Sequence, residues 1–135
     1  MEAFDPLVHV DGAEKLTGEN GAWPNFHDAE IRHIVLDAGD MRPDDDVWIG
    51  PSIEIQFDLQ AFEVPFKTTL RFEDCEQIEL AGFNHSNDIY ELEFSFENRG
   101  TYTNGAPLPP YIRVKVVSGF GVALTFVCFR VKVVS

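Results

Sequence analysis

A short run of histidine and acidic side chains near residue 30 is the densest group of residues that could do chemistry. It contains His27, Asp28, Glu30, Arg32 and His33. Imidazole and carboxylate groups bind divalent metals and transfer protons near neutral pH. With a further ligand from elsewhere, such as His85, the run could form a metal-binding or acid–base site.

The spacing of the histidines argues against that chemistry. His27 and His33 lie six positions apart, which is about 20 Å along an extended chain and too far for one metal ion. The alternative is structural: His27 and Asp28 would tie a loop to the sheet by hydrogen bonds from side chain to backbone. We favour the structural interpretation and predict no catalysis, no metal and no cofactor.

The other polar clusters indicate turns. Asn84, His85 and Asn87 lie between two predicted strands, where asparagine commonly closes a turn. The three aspartates at 44–46 lack the spacing of a calcium loop. The sequence also contains no glycine-rich phosphate loop, no nucleophile elbow and no CxxC pair.

The elements that must position these residues are strands, because polar and apolar residues alternate along most of the chain. The predicted strands are 29–37, 53–60, 66–73, 76–81, 89–97, 111–118 and 122–134. Residues 10–20 predict a single helix, with Asp11 as N-cap and Glu14 completing a capping box. We therefore predict one mostly β domain over residues 1–135. It would be an antiparallel β-sandwich or a strongly curved half-barrel of about seven strands, with one short N-terminal helix.

A loop with two large aromatic residues, Trp23 and Phe26, separates the predicted helix from the first strand. Loops usually run over the surface, where such rings are poorly solvated. These two side chains must therefore fill a hole in the core or face a ligand.

The net charge is −13, from 23 acidic and 10 basic residues. A chain this acidic is repelled by nucleic acid and by anionic lipid, so we expect neither as a partner. The start of the chain has no basic, apolar leader, and no apolar run is long enough for a membrane helix. The simplest predicted location is the cytoplasm.

The charge is unevenly distributed. All acidic residues precede residue 98, whereas residues 98–135 carry five basic residues and no acid. The C-terminal part is either a basic binding strip or a set of strands that pair with acidic neighbours, and we favour the second. The acids on the polar sides of the predicted strands would form a negative surface that attracts a basic partner, or a solvated face balanced by nearby cations. They are Glu54, Asp58, Glu79, Glu91, Glu93 and Glu97.

Residues 23–31 read WPNFHDAEI. This run resembles the Trp-Pro-small-Phe-His-Asp-Ala-Glu-hydrophobic signature of the bacterial immunity protein 50 family, in which it follows a short helix. Residues 70–72 and the Phe-Asn-x-x-Asn turn at 83–87 are also similar to that family, in the same order. The resemblance spans residues 10–97, and the last two strands carry no matching motif.

The resemblance implies a cytoplasmic immunity protein that binds a cognate toxin of a polymorphic toxin system and neutralises it by stoichiometric occlusion, without catalysis. The acidity fits a basic nuclease as the toxin. The residues implied as the motif framework are Trp23, Pro24, Phe26, His27, Asp28, Glu30, Asn84 and Asn87. The candidate contacts for the toxin are Trp23, Phe26, Glu91 and Glu93. The rivals are a metal- or ligand-binding domain, even an enzyme, that uses the His27–Asp28–Glu30 cluster, and an oligomerising structural domain.

Overall fold

A computed structural model describes residues 2–18, 21–42, 44, 46–61 and 64–135. The strands are β1 (Val10–Asp11), β2 (Glu30–Asp37), β3 (Asp40–Met41), β4 (Trp48–Ile49), β5 (Ser52–Ala61), β6 (Val64–Glu73), β7 (Glu76–Ala81), β8 (Asp88–Glu97), β9 (Tyr111–Phe120), β10 (Ala123–Cys128) and β11 (Arg130–Val133). The helical elements are α1 (Pro6–His9) and a turn of 3-10 helix, η1 (Ala13–Lys15). The prediction of a mostly β fold with a short N-terminal helix is confirmed.

The helix lies earlier in the chain than predicted. Asp5 caps α1, because its carboxylate accepts a hydrogen bond of 3.0 Å from the Leu7 N–H. The prediction of a helix over 10–20 is wrong: Asp11 belongs to β1 instead of capping a helix. Gly12 then takes a positive φ of 80°, which separates β1 from η1. Residues 19 and 20, the end of the predicted helix, lie outside the described residues.

Nine strands form one sheet in the order β1-β11-β6-β5-β2-β8-β9-β10-β7. Its neighbouring strands are antiparallel except for β1 and β11, which are parallel. The sheet does not close into a barrel. Strands β3 and β4 form a separate hairpin around the predicted turn at 40–46, of which residues 43 and 45 lie outside the described ranges.

The sheet is strongly curved, because β10 and β11 lie near its opposite ends although only Phe129 separates them in the chain. The predicted strand 122–134 is interrupted at Phe129, so that β10 pairs with β9 and β7 whereas β11 pairs with β6 and β1. The chain thus passes from one half of the sheet to the other. The inner faces of both halves share one core, in which the rings of Phe72 and Phe126 lie 5.0 Å apart.

The alternation along each strand separates core from surface. In β5, Ile53, Ile55 and Phe57 are fully buried, whereas Glu54 and Asp58 are half-exposed on the outer face. Each fully buried side chain of this size stabilises the fold by about 1.5–3 kcal/mol. No helix in the described ranges is long and apolar enough to cross a membrane.

The basic C-terminal strands lie beside acidic ones, as the favoured interpretation predicts. Arg113 of β9 contacts Glu97 of β8 at 2.9 Å. Arg130 and Lys132 of β11 approach Glu73 of β6 at 3.9 and 3.5 Å. These cations therefore form cross-strand pairs.

Candidate functional site

The two sequence motifs, residues 23–31 and 83–87, meet at one junction. Strands β2 and β8 are antiparallel and overlap at one residue pair, Glu30 and Asp88. Backbone hydrogen bonds of 2.9–3.0 Å extend this overlap, from Asp28 N–H to Ile89 O, from Ile89 N–H to Ala29 O and from Ile31 N–H to Asn87 O. The motif residues therefore join the two halves of the sheet.

His27 fastens the aromatic loop to β8. Its ring Nδ1 lies 2.7 Å from the backbone oxygen of Tyr90, and because a carbonyl only accepts, Nδ1 is the donor. Its Nε2 lies 3.4 Å from the Asp28 carboxylate. Asp28 has a positive φ of 66°, which aspartate tolerates better than most residues. These contacts give His27 and Asp28 a structural role at the junction.

The turn before β8 is closed by two asparagines. The Asn87 side chain is 3% exposed, donates to Asn84 O at 2.7 Å and accepts from the Asn84 N–H at 2.9 Å. Gly121 lies against this turn, where a Cβ would come within 2.5 Å of Ser86 O. Its φ of +82° also favours glycine. Asn87 therefore stabilises the turn from a buried position.

The aromatic loop fills the gap between the two halves of the sheet. Phe26 is 3% exposed, and its ring meets Phe57 edge-on at 5.1 Å. Pro24 is buried beside it. Trp23 is half-buried between Phe26 and Phe94, with ring centroids 5.7 and 6.3 Å away. Phe26 is therefore not available as a toxin contact in this structure, whereas one part of Trp23 is.

An open groove of about 420 Å³, here called the β8 groove, lies where the aromatic loop turns away from β8. It is lined by Phe4, Pro6, Trp23, Glu91, Leu92, Glu93, Phe94, Ser95 and Lys115. Three of the four predicted contacts, Trp23, Glu91 and Glu93, thus share one surface. Phe4, which stacks on Phe94 at 5.0 Å, could not be predicted as part of this groove, because nothing in the sequence pattern places the N-terminal segment over β8.

The predicted acidic face is largely neutralised outside this groove. Glu54 bonds Arg71 at 2.8 Å, Asp58 bonds Arg32 at 2.7 Å, and Glu97 bonds Arg113 at 2.9 Å. The hydrogen bond to Asp58 raises the pKa of the Arg32 guanidinium. Within the described residues, by contrast, Glu91 and Glu93 form no ion pair, although Lys115 stands opposite Glu93 on β9.

A second depression, of about 380 Å³, contains Asp28, Glu30, Asp58 and Asp88 together with Lys67. Arg32 approaches Glu30 at 3.5 Å, so cations already serve two of these carboxylates. His85 is exposed in its turn. Across the described part of the chain, no group of three or more histidine, cysteine or acidic residues is arranged to hold a metal ion.

Several large apolar side chains in or near the β3–β4 hairpin are exposed, which the sequence pattern does not predict. They are Val35, Leu36, Met41, Val47, Trp48 and Ile49.

The chain as a whole matches no protein-family model, no curated protein and no solved structure.

Proposed function

We propose that this protein is an immunity protein that binds a cognate bacterial toxin and neutralises it by stoichiometric occlusion in the cytoplasm of the producing cell. One observation carries the proposal. The loop with the immunity-like motif and the unpaired carboxylates Glu91 and Glu93 line the same open groove. The exposed part of Trp23 and the negative charge of the two glutamates are thus available to one partner.

The charge of the groove favours a basic partner. The whole chain carries a net charge of −13, and Glu91 and Glu93 add an exposed negative pair at the groove. Such a surface accelerates encounter with a basic protein and suppresses association with acidic ones. A nuclease toxin, which is basic where it holds nucleic acid, has the required chemistry.

The groove also offers a rigid anchor. Tryptophan is one of the residues that contribute most to protein–protein binding, provided that it is held in place. Trp23 is held by Phe26 and Phe94, while His27 fixes the end of its loop to β8. Little side-chain freedom would therefore be lost when a toxin covers Trp23.

A growth-protection experiment tests this function. The proposed function predicts a toxin gene beside this one, and the toxin domain of that gene is expressed in a bacterium with and without the protein. We expect the wild type to restore growth, and a variant with Trp23→Ala, Glu91→Lys and Glu93→Lys to lose protection because both the anchor and the charge are removed.

The matched control carries Trp48→Ala, Glu14→Lys and Glu79→Lys, which change one exposed tryptophan and two exposed carboxylates outside the groove. Circular dichroism and soluble yield establish that both variants fold. The proposal is contradicted if the wild type gives no protection, or if the folded groove variant protects as well as the control.

A further inference from the structure

We propose that the partner binds by strand addition: an extended segment with alternating basic and apolar residues pairs with the open edge of β8 from Glu91 to Glu97. This inference rests on the proposed function for the identity of the partner, a toxin. It adds the mode of binding and the chemistry of the segment that is bound.

Between Glu91 and Glu97, the backbone of β8 is paired on one side only. On that side it pairs with β9 as far as Glu97 and Tyr111. On the other side its pairing with β2 is limited to Asp88, and the loop contacts end at Tyr90. In the parts of the chain that the structure describes, no other backbone group bonds this edge between Glu91 and Glu97. Such an edge is a template for an added strand.

The strand itself lacks the sequence features and the bulges that normally block strand addition, although the rings of Phe4 and His9 pack against its inward side chains Phe94 and Phe96. Residues 91–97 contain no proline and no lysine, and both irregularities in the pairing with β9 precede Glu91. The negative charge of Glu91 and Glu93 is the remaining feature that opposes pairing with another copy of the strand. Pairing with a second copy of β8 would bring its carboxylates near like charges, which is unfavourable. A segment with basic side chains would instead be attracted.

The two faces of β8 determine the alternation expected in the partner. Glu91 and Glu93 point outward, so the neighbouring side chains of an added strand would be lysine or arginine. Leu92 and Phe94 point inward and contact the core. Inward side chains of the added strand would therefore meet Trp23 and other apolar walls of the β8 groove.

Strand β7 is the comparison edge within the same molecule. It pairs with β10 and is the last strand of the sheet. It exposes Ile78 and Leu80 beside a groove of about 630 Å³, which is larger in volume than the β8 groove. It carries no part of the immunity-like motif. We therefore expect the outer edge of β7 to remain unpaired when the toxin binds, which makes this edge an internal control.

Residue-resolved amide hydrogen exchange, measured by NMR on the protein alone and in its complex with the toxin domain, tests strand addition. In the free protein, alternate amides between Glu91 and Glu97 should exchange rapidly because they face the open edge. In the complex the exchange rates of these amides should fall by about 100-fold when the concentration of free toxin is about 100 times its Kd. The exchange rates of amides on the free edge of β7 should not change.

The outcomes separate the binding mode from the function. A stable complex in which the alternate β8 amides still exchange rapidly would overturn strand addition and leave the toxin-binding function intact. Failure to form any complex with a folded, active toxin domain would overturn both.

A charge variant provides the second measurement. Replacing Glu91 and Glu93 by glutamine should raise the Kd roughly tenfold, since two exposed ion pairs are lost. The same change at Glu14 and Glu79, two exposed carboxylates outside the groove, alters net charge equally and should have much less effect. Equal weakening by both pairs would contradict a local basic contact at β8.

Discussion

At the residue scale, the junction of β2 and β8 is held by side chains that bond backbone groups far away in sequence. His27 bonds Tyr90 O, and Asn87 bonds both backbone groups of Asn84. The sequence motifs predict that these residues belong to a framework. The acceptor of His27 could not be predicted, because it is a carbonyl 63 positions away and every residue offers one.

Replacing Asn87 by alanine should lower the free energy of unfolding by about 2–3 kcal/mol, because it leaves two polar groups at the turn without partners. Urea denaturation of the isolated protein measures the change. His85→Ala in the same turn is the control, since His85 is exposed and should change stability by less than about 0.5 kcal/mol. Equal effects of the two substitutions would contradict the role given to Asn87.

The two cysteines should be unreactive while the protein is folded. Burial raises the pKa of the Cys75 thiol to about 12 and that of Cys128 still further. Thiolate is then scarce at neutral pH, and alkylation should require global unfolding. The rate of iodoacetamide labelling, followed by mass spectrometry, should be proportional to the fraction of molecules that are unfolded. Rapid labelling of the native protein would be inconsistent with this burial.

The same shift has a defined effect on stability. Because the folded-state pKa exceeds the ordinary thiol value of 9.0, the unfolded chain loses its thiol protons first as the pH rises. The contribution of Cys75 is therefore complete below pH 9 and is lost progressively toward about pH 12.

At the scale of elements, alternation of polar and apolar residues predicted the long strands but not the two-residue strands β1, β3 and β4. Apolar residues continue through Phe129 without a turn signal, yet β10 and β11 pair with different neighbours on either side of it. The false helix at 10–20 has a related cause. Asp11 and Glu14 have the spacing of a capping box, but parallel pairing of Val10 with Val131 overrides it, and that partner is remote in sequence.

The three cations around Glu73 couple β11 to β6. Arg71, Arg130 and Lys132 lie 3.5–3.9 Å from this carboxylate. Glu73→Gln leaves these cations close together without their shared anion, and we expect a loss of about 1–2 kcal/mol in unfolding free energy at low salt, with a smaller loss at high salt. Glu91→Gln is the control, because Glu91 has no ion pair among the described residues. If the two substitutions have equal effects at low salt, the network contributes little.

At the scale of the whole molecule, the prediction of a mostly β fold is confirmed. Of the two predicted arrangements, a β-sandwich and a strongly curved half-barrel, the single curved sheet corresponds to the second. The order of strands could not be predicted, because the two halves meet through residues that are remote in sequence, such as Glu30 and Asp88. The β8 groove was beyond prediction for the same reason. It exists because β2 and β8 overlap so little that most of one edge is left open.

The global charge has a kinetic consequence for toxin binding. A net charge of −13 should accelerate association with a basic toxin, so the association rate constant should fall as salt rises while the dissociation rate changes less. Stopped-flow mixing at low and moderate salt measures both. A salt-independent association rate would show that the partner is not selected by charge.

The most direct test of the central claim is a titration of toxin activity with the purified protein. Occlusion predicts that residual activity falls linearly and reaches its minimum at one equivalent, without dependence on incubation time once binding is complete. The groove variant with Trp23→Ala, Glu91→Lys and Glu93→Lys should require a large excess. Inactivation by a small fraction of an equivalent that increases with time would reveal catalysis, and would contradict the proposal that this protein neutralises a toxin by stoichiometric binding.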